Sequence, residues 1–386
     1  MRKFTIVTGA ALFLASGCSS DDDGGAAAQM TGSMPPGTEA TPVDDASSDE
    51  SADPAAPATD GTTEGVPNNL PLDDEGAGDM TAGEEPTEPV SPGGPAQETI
   101  APLPSVRQEH AVVALGGEIV VIGGFTPDAT NSVEAYDPAA DTWRALAAFP
   151  SVLHHANAVS IDGKLIVAGF YFGGTFGDAR GNTYEYDPAS DAWTERTPMP
   201  AGSERSSSCV AALDGKMYVF GGARNGSVRD ASVYDPASDT WTPLPPLLEA
   251  REHCAAGAID GTIIIAGGRA DGIGGFQPNT WAFDPVAQTY EIRAPLLTAR
   301  GGVSGAVLDG RLFLFGGEGN ASDPSGFFPQ VEAYDPATDA WEALPSMVSP
   351  RHGLGAATLD DAIYLPGGAS TQGFGAEDTN TVFRLE

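Results

Sequence analysis

Five arginines and five histidines gather at one position of a repeating sequence. Aligned on six recurring glycine pairs, the residue seventeen before the second glycine is Arg107, Val152, Arg205, Arg251, Arg300 and Arg351. The five histidines, His110, His154, His155, His253 and His352, fall within three residues of that position. Guanidinium groups brought onto a common axis repel one another unless something anionic neutralises them. Two answers stay open. Internal ion pairs are available from Glu109, Glu204 and Glu252, which stand beside the arginines. A bound carboxylate, sulfate, phosphate or acidic peptide would use the forked donors instead. The histidines add polar lining or acid–base capacity. Metal ligation would require a convergence that spacing does not reveal, so no metal and no cofactor is assigned.

The elements that must carry these residues are short strands. A β-rich run closes on a glycine pair at Gly123-Gly124, Ala168-Gly169 (degenerate), Gly221-Gly222, Gly267-Gly268, Gly316-Gly317 and Gly367-Gly368, at spacings of 45 to 53 residues. A second block, YDPAADTW in its first copy, follows each of the first five pairs and ends at Trp143, Trp193, Trp241, Tyr290 or Trp341. Before each pair stands a tight-turn signal such as Gly116-Gly117 or Asp162-Gly163, between alternating apolar residues. A period of this size indicates a stacked or radial repeat.

A glycine pair, then an aromatic, then a tryptophan at short fixed distance resembles the kelch signature, and it recurs across everything after residue 97. The resemblance implies an all-β fold, a six-bladed kelch β-propeller of four-stranded antiparallel blades. In the first blade the strands read HAVVAL (a), EIVVIGG (b), SVEAYD (c) and TWRALA (d). The last blade lacks its strand d, and Gln97 to Ala101 occupies the place of one, so the N-terminal strand is expected to complete blade 6 and close the ring. The signature tryptophans and glycines read as structural, the rings filling space between sheets and the glycines allowing close backbone approach.

Strand order puts the d-to-a and b-to-c connections on one face, where function is expected. Besides the arginines and histidines, that face carries loop aromatics: Phe125, Tyr171, Phe172, Phe176, Phe276, Phe327, Phe328 and Phe374. The expected ligand set is Arg107, Arg205, Arg251, Arg300, Arg351, His110, His155, His253, His352, Phe172, Phe276 and Phe328. Kelch domains that capture acidic peptides use arginines at this channel mouth, which the resemblance brings as support.

Ahead of the repeats the composition changes twice. Arg2 and Lys3 precede an apolar run and a small-residue close at Ser16-Gly17-Cys18, which reads as an export signal over residues 1–18. The close resembles the lipobox of bacterial lipoproteins, with Ala15 where leucine is commonest, and implies that Cys18 is lipidated. Residues 19–96 hold acidic, Pro, Gly, Ala, Ser and Thr residues with almost nothing to bury, an expected disordered tether. As a flexible coil it would reach roughly 50 Å. The net charge is -36; 19 acidic and no basic residues lie between Ser19 and Ile100, which leaves 35 acidic and 16 basic residues after them. Such a body excludes nucleic acid or anionic lipid as a general partner.

Cys209 and Cys254 align one register apart on neighbouring inner strands, and alternation would point them to opposite faces, which disfavours a disulfide unless the strands are offset. The expectation is therefore a monomeric binding protein of the bacterial envelope, held at the outer membrane or cell surface by its lipid alone. It would recognise an anionic glycan or an acidic polypeptide. Two alternatives stand beside it: a carbohydrate-active enzyme resembling a sialic-acid mutarotase, and a purely structural envelope protein. Copper chemistry of the galactose-oxidase kind is disfavoured, because neither Cys209 nor Cys254 sits on a d-to-a or b-to-c loop.

Overall fold

The computed structural model describes residues 96–270 and 272–385. The expected export segment 1–18 with Cys18, and the tether as far as residue 95, lie outside the described residues.

Six antiparallel sheets form the blades, five of four strands and one of five. Blade 1 runs Ala111–Leu115, Glu118–Ile122, Val133–Asp137 and Thr142–Ala145. The strand Ala96–Ile100 pairs antiparallel with Asn380–Arg384 and completes the sixth blade, so the ring closes as expected. Closure leaves both ends of the repeat array with a hydrogen-bonded partner rather than an open edge.

The core is divided among the blade interfaces. Each of six hydrophobic clusters straddles two neighbouring sheets, with Val113, Ile122 and Phe149 meeting Leu165, Val167 and Phe170 between blades 1 and 2. In blades 1 to 5 the a-to-b turns use left-handed residues in both central positions, as at Asp162 (φ 51°) and Gly163 (φ 75°), the geometry of a primed two-residue hairpin.

The signature residues clamp blade to blade. Trp143, Trp193, Trp241 and Trp341 donate their indole N–H to the carbonyls of Ala101, Ala147, Thr197 and Ala294 on the preceding blade, and Tyr290 donates its hydroxyl to Pro245. The aspartate of the same block accepts in the other direction, Asp141 taking both the Ala101 N–H and the Tyr136 hydroxyl. At the glycine pair, Gly124 is left-handed (φ 92°), and a Cβ there would stand 2.5 Å from the Gln108 carbonyl oxygen and 2.8 Å from His110 Cβ. Only glycine fits that approach.

Blade 2 departs from the others. Alanine does not take the left-handed turn that the first glycine takes elsewhere, so only Gly169 turns, the register shifts between Ala168 and Phe170, and pairing continues. Its middle strands, Lys164–Phe172 and Ala179–Asp187, run nine residues each and form a hairpin that leans out over the face. The shift moves the blade's member of the arginine position by one. Leu153, not Val152, accepts the amide of Gly124, just as Arg251 accepts that of Gly222.

Cys209 and Cys254 form a disulfide, contrary to the expectation. Alternation governs residues within strands, whereas Cys254 lies one residue before its strand Ala255–Ile259 and Cys209 opens the strand Cys209–Leu213. The two inner strands belong to different sheets and are tied by the hydrogen bond from the His253 amide to the Ser207 carbonyl, which brings the cysteine Cα atoms to 5.1 Å.

Candidate functional site

The arginines do not reach the channel mouth. Arg107, Arg205, Arg251, Arg300 and Arg351 are each 0–1% exposed. Each lies inside its own blade, where the glycine pair bends strand b away and leaves carbonyls without ladder partners. Arg107 donates to the Gly123 carbonyl and to both oxygens of Glu134, each at 3.0 Å. Arg205 takes Val219 O and Ser232 Oγ, and Arg351 takes Leu365 O, Thr379 O and Thr381 Oγ1. Arg300 bonds the Gly316 and Leu314 carbonyls and lies 3.0 Å from Glu332 Oε2, while Arg251 stacks 3.7 Å over Trp281. Arg107 and Arg300 meet carboxylates of strand c, Glu134 and Glu332, rather than Glu109, Glu204 or Glu252, while Arg205, Arg251 and Arg351 are held by backbone carbonyls, hydroxyls and the Trp281 ring. Burial lowers Arg205, Arg251 and Arg351 to about 10, which still leaves them charged at neutral pH.

The mouth is built two residues further on. Glu109, His155, Ser207, His253, Gly302 and Gly353 occupy equivalent places in the six blades, all left-handed, with φ between 50° and 69°. Successive members are linked by backbone hydrogen bonds: His155 to Glu109, Ser207 to His155, His253 to Ser207, Gly302 to His253, and Glu109 to Gly353. Non-glycine residues rarely adopt this conformation, and the hydrogen-bonded annulus is what holds them in it.

The residue after the glycine pair lies beside the annulus in the regular blades, and in blade 2 the register shift gives that place to Tyr171, while Phe170 packs into the core. Two successive blades carry charges beside the annulus, Arg269 and Glu318, 2.5 Å apart and both buried. Arg269 also meets Glu252 at 3.1 Å. Burial works against the Arg269 charge, but Glu318 and Glu252 outweigh it and raise its pKa. Burial likewise opposes the Glu252 carboxylate, and the neighbouring His253 ring and Arg269 guanidinium prevail, holding it down at about 2.

The histidines separate by depth. His110 lies in the channel wall with Nε2 3.0 Å from the Pro366 carbonyl, and burial, helped by the Arg107 charge, lowers it to about 3. His155 Nε2 is 3.0 Å from Glu109 Oε2, its Nδ1 is 2.6 Å from His154 Nδ1, and His154 Nε2 is 3.2 Å from the Thr175 carbonyl. Burial drops His155 well below the usual histidine range, with His253 and His154 adding to it, and lowers His154 to about 4. His352 bonds the Thr371 carbonyl through Nε2, and its Nδ1 lies 3.7 Å from Glu109 Oε1 and 3.6 Å from Glu318 Oε2. The ligating atoms of Glu109, His155 and His253 all lie within 4.8 Å of one another, so among the described residues these three could hold a metal ion.

Above this floor is a cavity of about 180 Å³ lined by Gln108, Glu109, His155, Phe176, Arg269, Ile273, Glu318, Gly373 and Phe374. Phe176, Phe374 and Ile273 form an exposed apolar rim, 51%, 62% and 49% accessible. The phenylalanines expected to meet a ligand lie elsewhere: Phe328 is buried against Phe276, and Phe172 lies under the Arg180 guanidinium outside the cavity lining. A larger cavity of about 300 Å³ lies against blade 3 beside Trp241; its charged lining residues are Arg205 and Asp230, and Arg205 is already bonded within the blade.

Arg269 and Glu318 were not among the expected site residues. Their signal was legible as charge at the position after the glycine pair, which holds Phe125, Ala223 and Ala369 in other blades.

The family model for the KLHDC2/KLHL20/DRC7 Kelch-repeats domain matches residues 95–268 and 172–368. Kelch-like protein terF of Aspergillus terreus is 34% identical over 288 residues, which is 69% of this chain and 62% of that protein. Kelch-like protein 33 of Homo sapiens is 37% identical over 73 residues, 19% of this chain and 14% of its own length. The chain thus spans under two thirds of either relative. The solved structure of YjhT superimposes with a TM-score of 0.61 at 14% identity, covering 73% of this chain and 95% of that one, and shares its fold. The chain belongs to the kelch-repeat family.

Proposed function

We propose that the protein is an envelope-tethered interaction module that docks a partner polypeptide on the channel-mouth face, with one partner side chain seated in the mouth cavity. The observation that carries this reading is an exposed rim of Phe176, Phe374 and Ile273 around a small polar-floored cavity. Exposed apolar groups beside convergent polar ones mark interaction surfaces. Size favours a side chain over a free small molecule, because the cavity's 180 Å³ is below the about 300 Å³ at which small-molecule sites begin.

Charge argues against the acidic partner expected from the arginine position. The floor presents Glu109, Glu252 and Glu318 against Arg269, and the five arginines of the repeat position are sealed inside the blades. A neutral or basic side chain suits such a floor, and cation–π contact with the rim would help the latter. Display on the envelope rests on the export signal, Cys18 and the acidic tether. The Cys209–Cys254 disulfide supports it, since such bonds persist in oxidising compartments.

The test is selection of a displayed random peptide library on the full chain. Selected peptides are expected to lose at least tenfold in affinity on Phe374→Ala combined with Phe176→Ala, with the unfolding midpoint unchanged. Peptides that bind both forms equally would overturn the reading.

A further inference from the structure

We infer that Glu109, His155 and His253 form a binding site for one divalent transition-metal ion at the floor of the channel mouth. The inference shares its cavity with the partner reading above but is carried by different observations, and a bound dication would bring the acidic floor toward neutrality. It begins from a hydrogen-bond relay that ends without a proton. The Thr175 carbonyl can only accept, so His154 donates to it from Nε2. A neutral imidazole carries one N–H, so His154 Nδ1 is an acceptor, and His155 Nδ1, 2.6 Å away, is the donor to it. His155 Nε2 then has a bare lone pair, and it faces the Glu109 carboxylate at 3.0 Å.

Two acceptors at that separation need a positive centre between or beside them. Ligands of one small cation stand about this far apart when each bonds it at roughly 2.0–2.2 Å. The third member of the cluster supplies the missing direction. His253, whose ring centroid is 4.9 Å from that of His155, has both ring nitrogens buried without a hydrogen-bond partner. Its Nδ1 is 3.4 Å from Glu252 Oε1, outside hydrogen-bonding geometry.

Two imidazoles and a carboxylate are the donor set of open zinc sites and of non-haem ferrous sites, not of calcium or magnesium. The outer shell such sites need is present, since His154 orients His155 through the nitrogen that does not face the ion. Charge agrees: the surrounding Glu252 and Glu318 share a single guanidinium, Arg269, and a dication would offset the excess. Glu109 and His155 line the mouth cavity, so the open coordination positions would face it.

The experiment uses the full chain, stripped with chelator and titrated with Co²⁺ as a spectroscopic probe, followed by Zn²⁺ competition. Expected are visible ligand-field bands that saturate at one equivalent and are abolished by Zn²⁺. His253→Gln and Glu109→Gln should each weaken Co²⁺ binding at least about a hundredfold, and His154→Ala, which touches no ion, by roughly ten- to a hundredfold. Circular dichroism of each variant establishes that it is folded. The site is refuted if wild type shows no saturable bands, in which case a proton alone joins His155 to Glu109. It is equally refuted if folded His253→Gln and Glu109→Gln variants bind with wild-type affinity.

Discussion

Side chains at one repeat position do opposite work depending on where the backbone turns. The arginine position was legible from spacing, but its direction was not. Spacing counts residues, whereas the guanidinium swings sideways to the carbonyls that the glycine kink frees on strand b. Two residues later the left-handed annulus points Glu109, His155 and His253 inward, a consequence of φ that composition cannot show. The arginines are therefore stability residues. In Arg300→Ala the Glu332 carboxylate, 2% exposed, loses its ion-pair partner, and the expected loss is about 3–5 kcal/mol. Urea unfolding measures it; an unchanged midpoint would return the arginine to the ligand.

Blades, hairpins and ring closure were readable because the glycine pairs, Asp-Gly turns and Tyr–Asp–Trp clamp each impose one local geometry. What escaped reading depended on how elements sit against each other. The blade 2 extension follows from Ala168, which refuses the left-handed turn and lets the hairpin carry Phe176 to the mouth. The disulfide follows from the offset of two inner strands in different sheets. It links residues 45 apart, and closing a loop of that size stabilises by about 4 kcal/mol on the chain-entropy model. Cys209→Ser with Cys254→Ser should lower the unfolding free energy by about 2–4 kcal/mol. A thiol assay on denatured, unreduced protein should find neither cysteine free; detection of both would contradict the bridge.

For the molecule as a whole, burying histidines around a channel makes stability depend on pH. His110, His154 and His155 have folded pKa values below their usual 6.5. Above pH 6.5 neither the folded nor the unfolded chain protonates them. Below it the unfolded chain takes up protons that the folded chain refuses, so stability falls by up to about 1.4 kcal/mol per pH unit for each histidine. Glu252, held at about 2 against 4.5, adds to the loss only once the pH drops below 4.5. Urea midpoints should therefore decline between pH 6.5 and 5, and a flat profile would mean the histidines are not buried as neutral groups. The channel-mouth face is the proposed working face of the propeller. Hydrogen–deuterium exchange on the complex with a library-selected peptide tests it most directly. Protection is expected in the loops 172–178, 272–279 and 369–379, which carry the rim residues Phe176, Ile273 and Phe374, whereas protection confined to the a-to-b and c-to-d turns of the opposite face would contradict it.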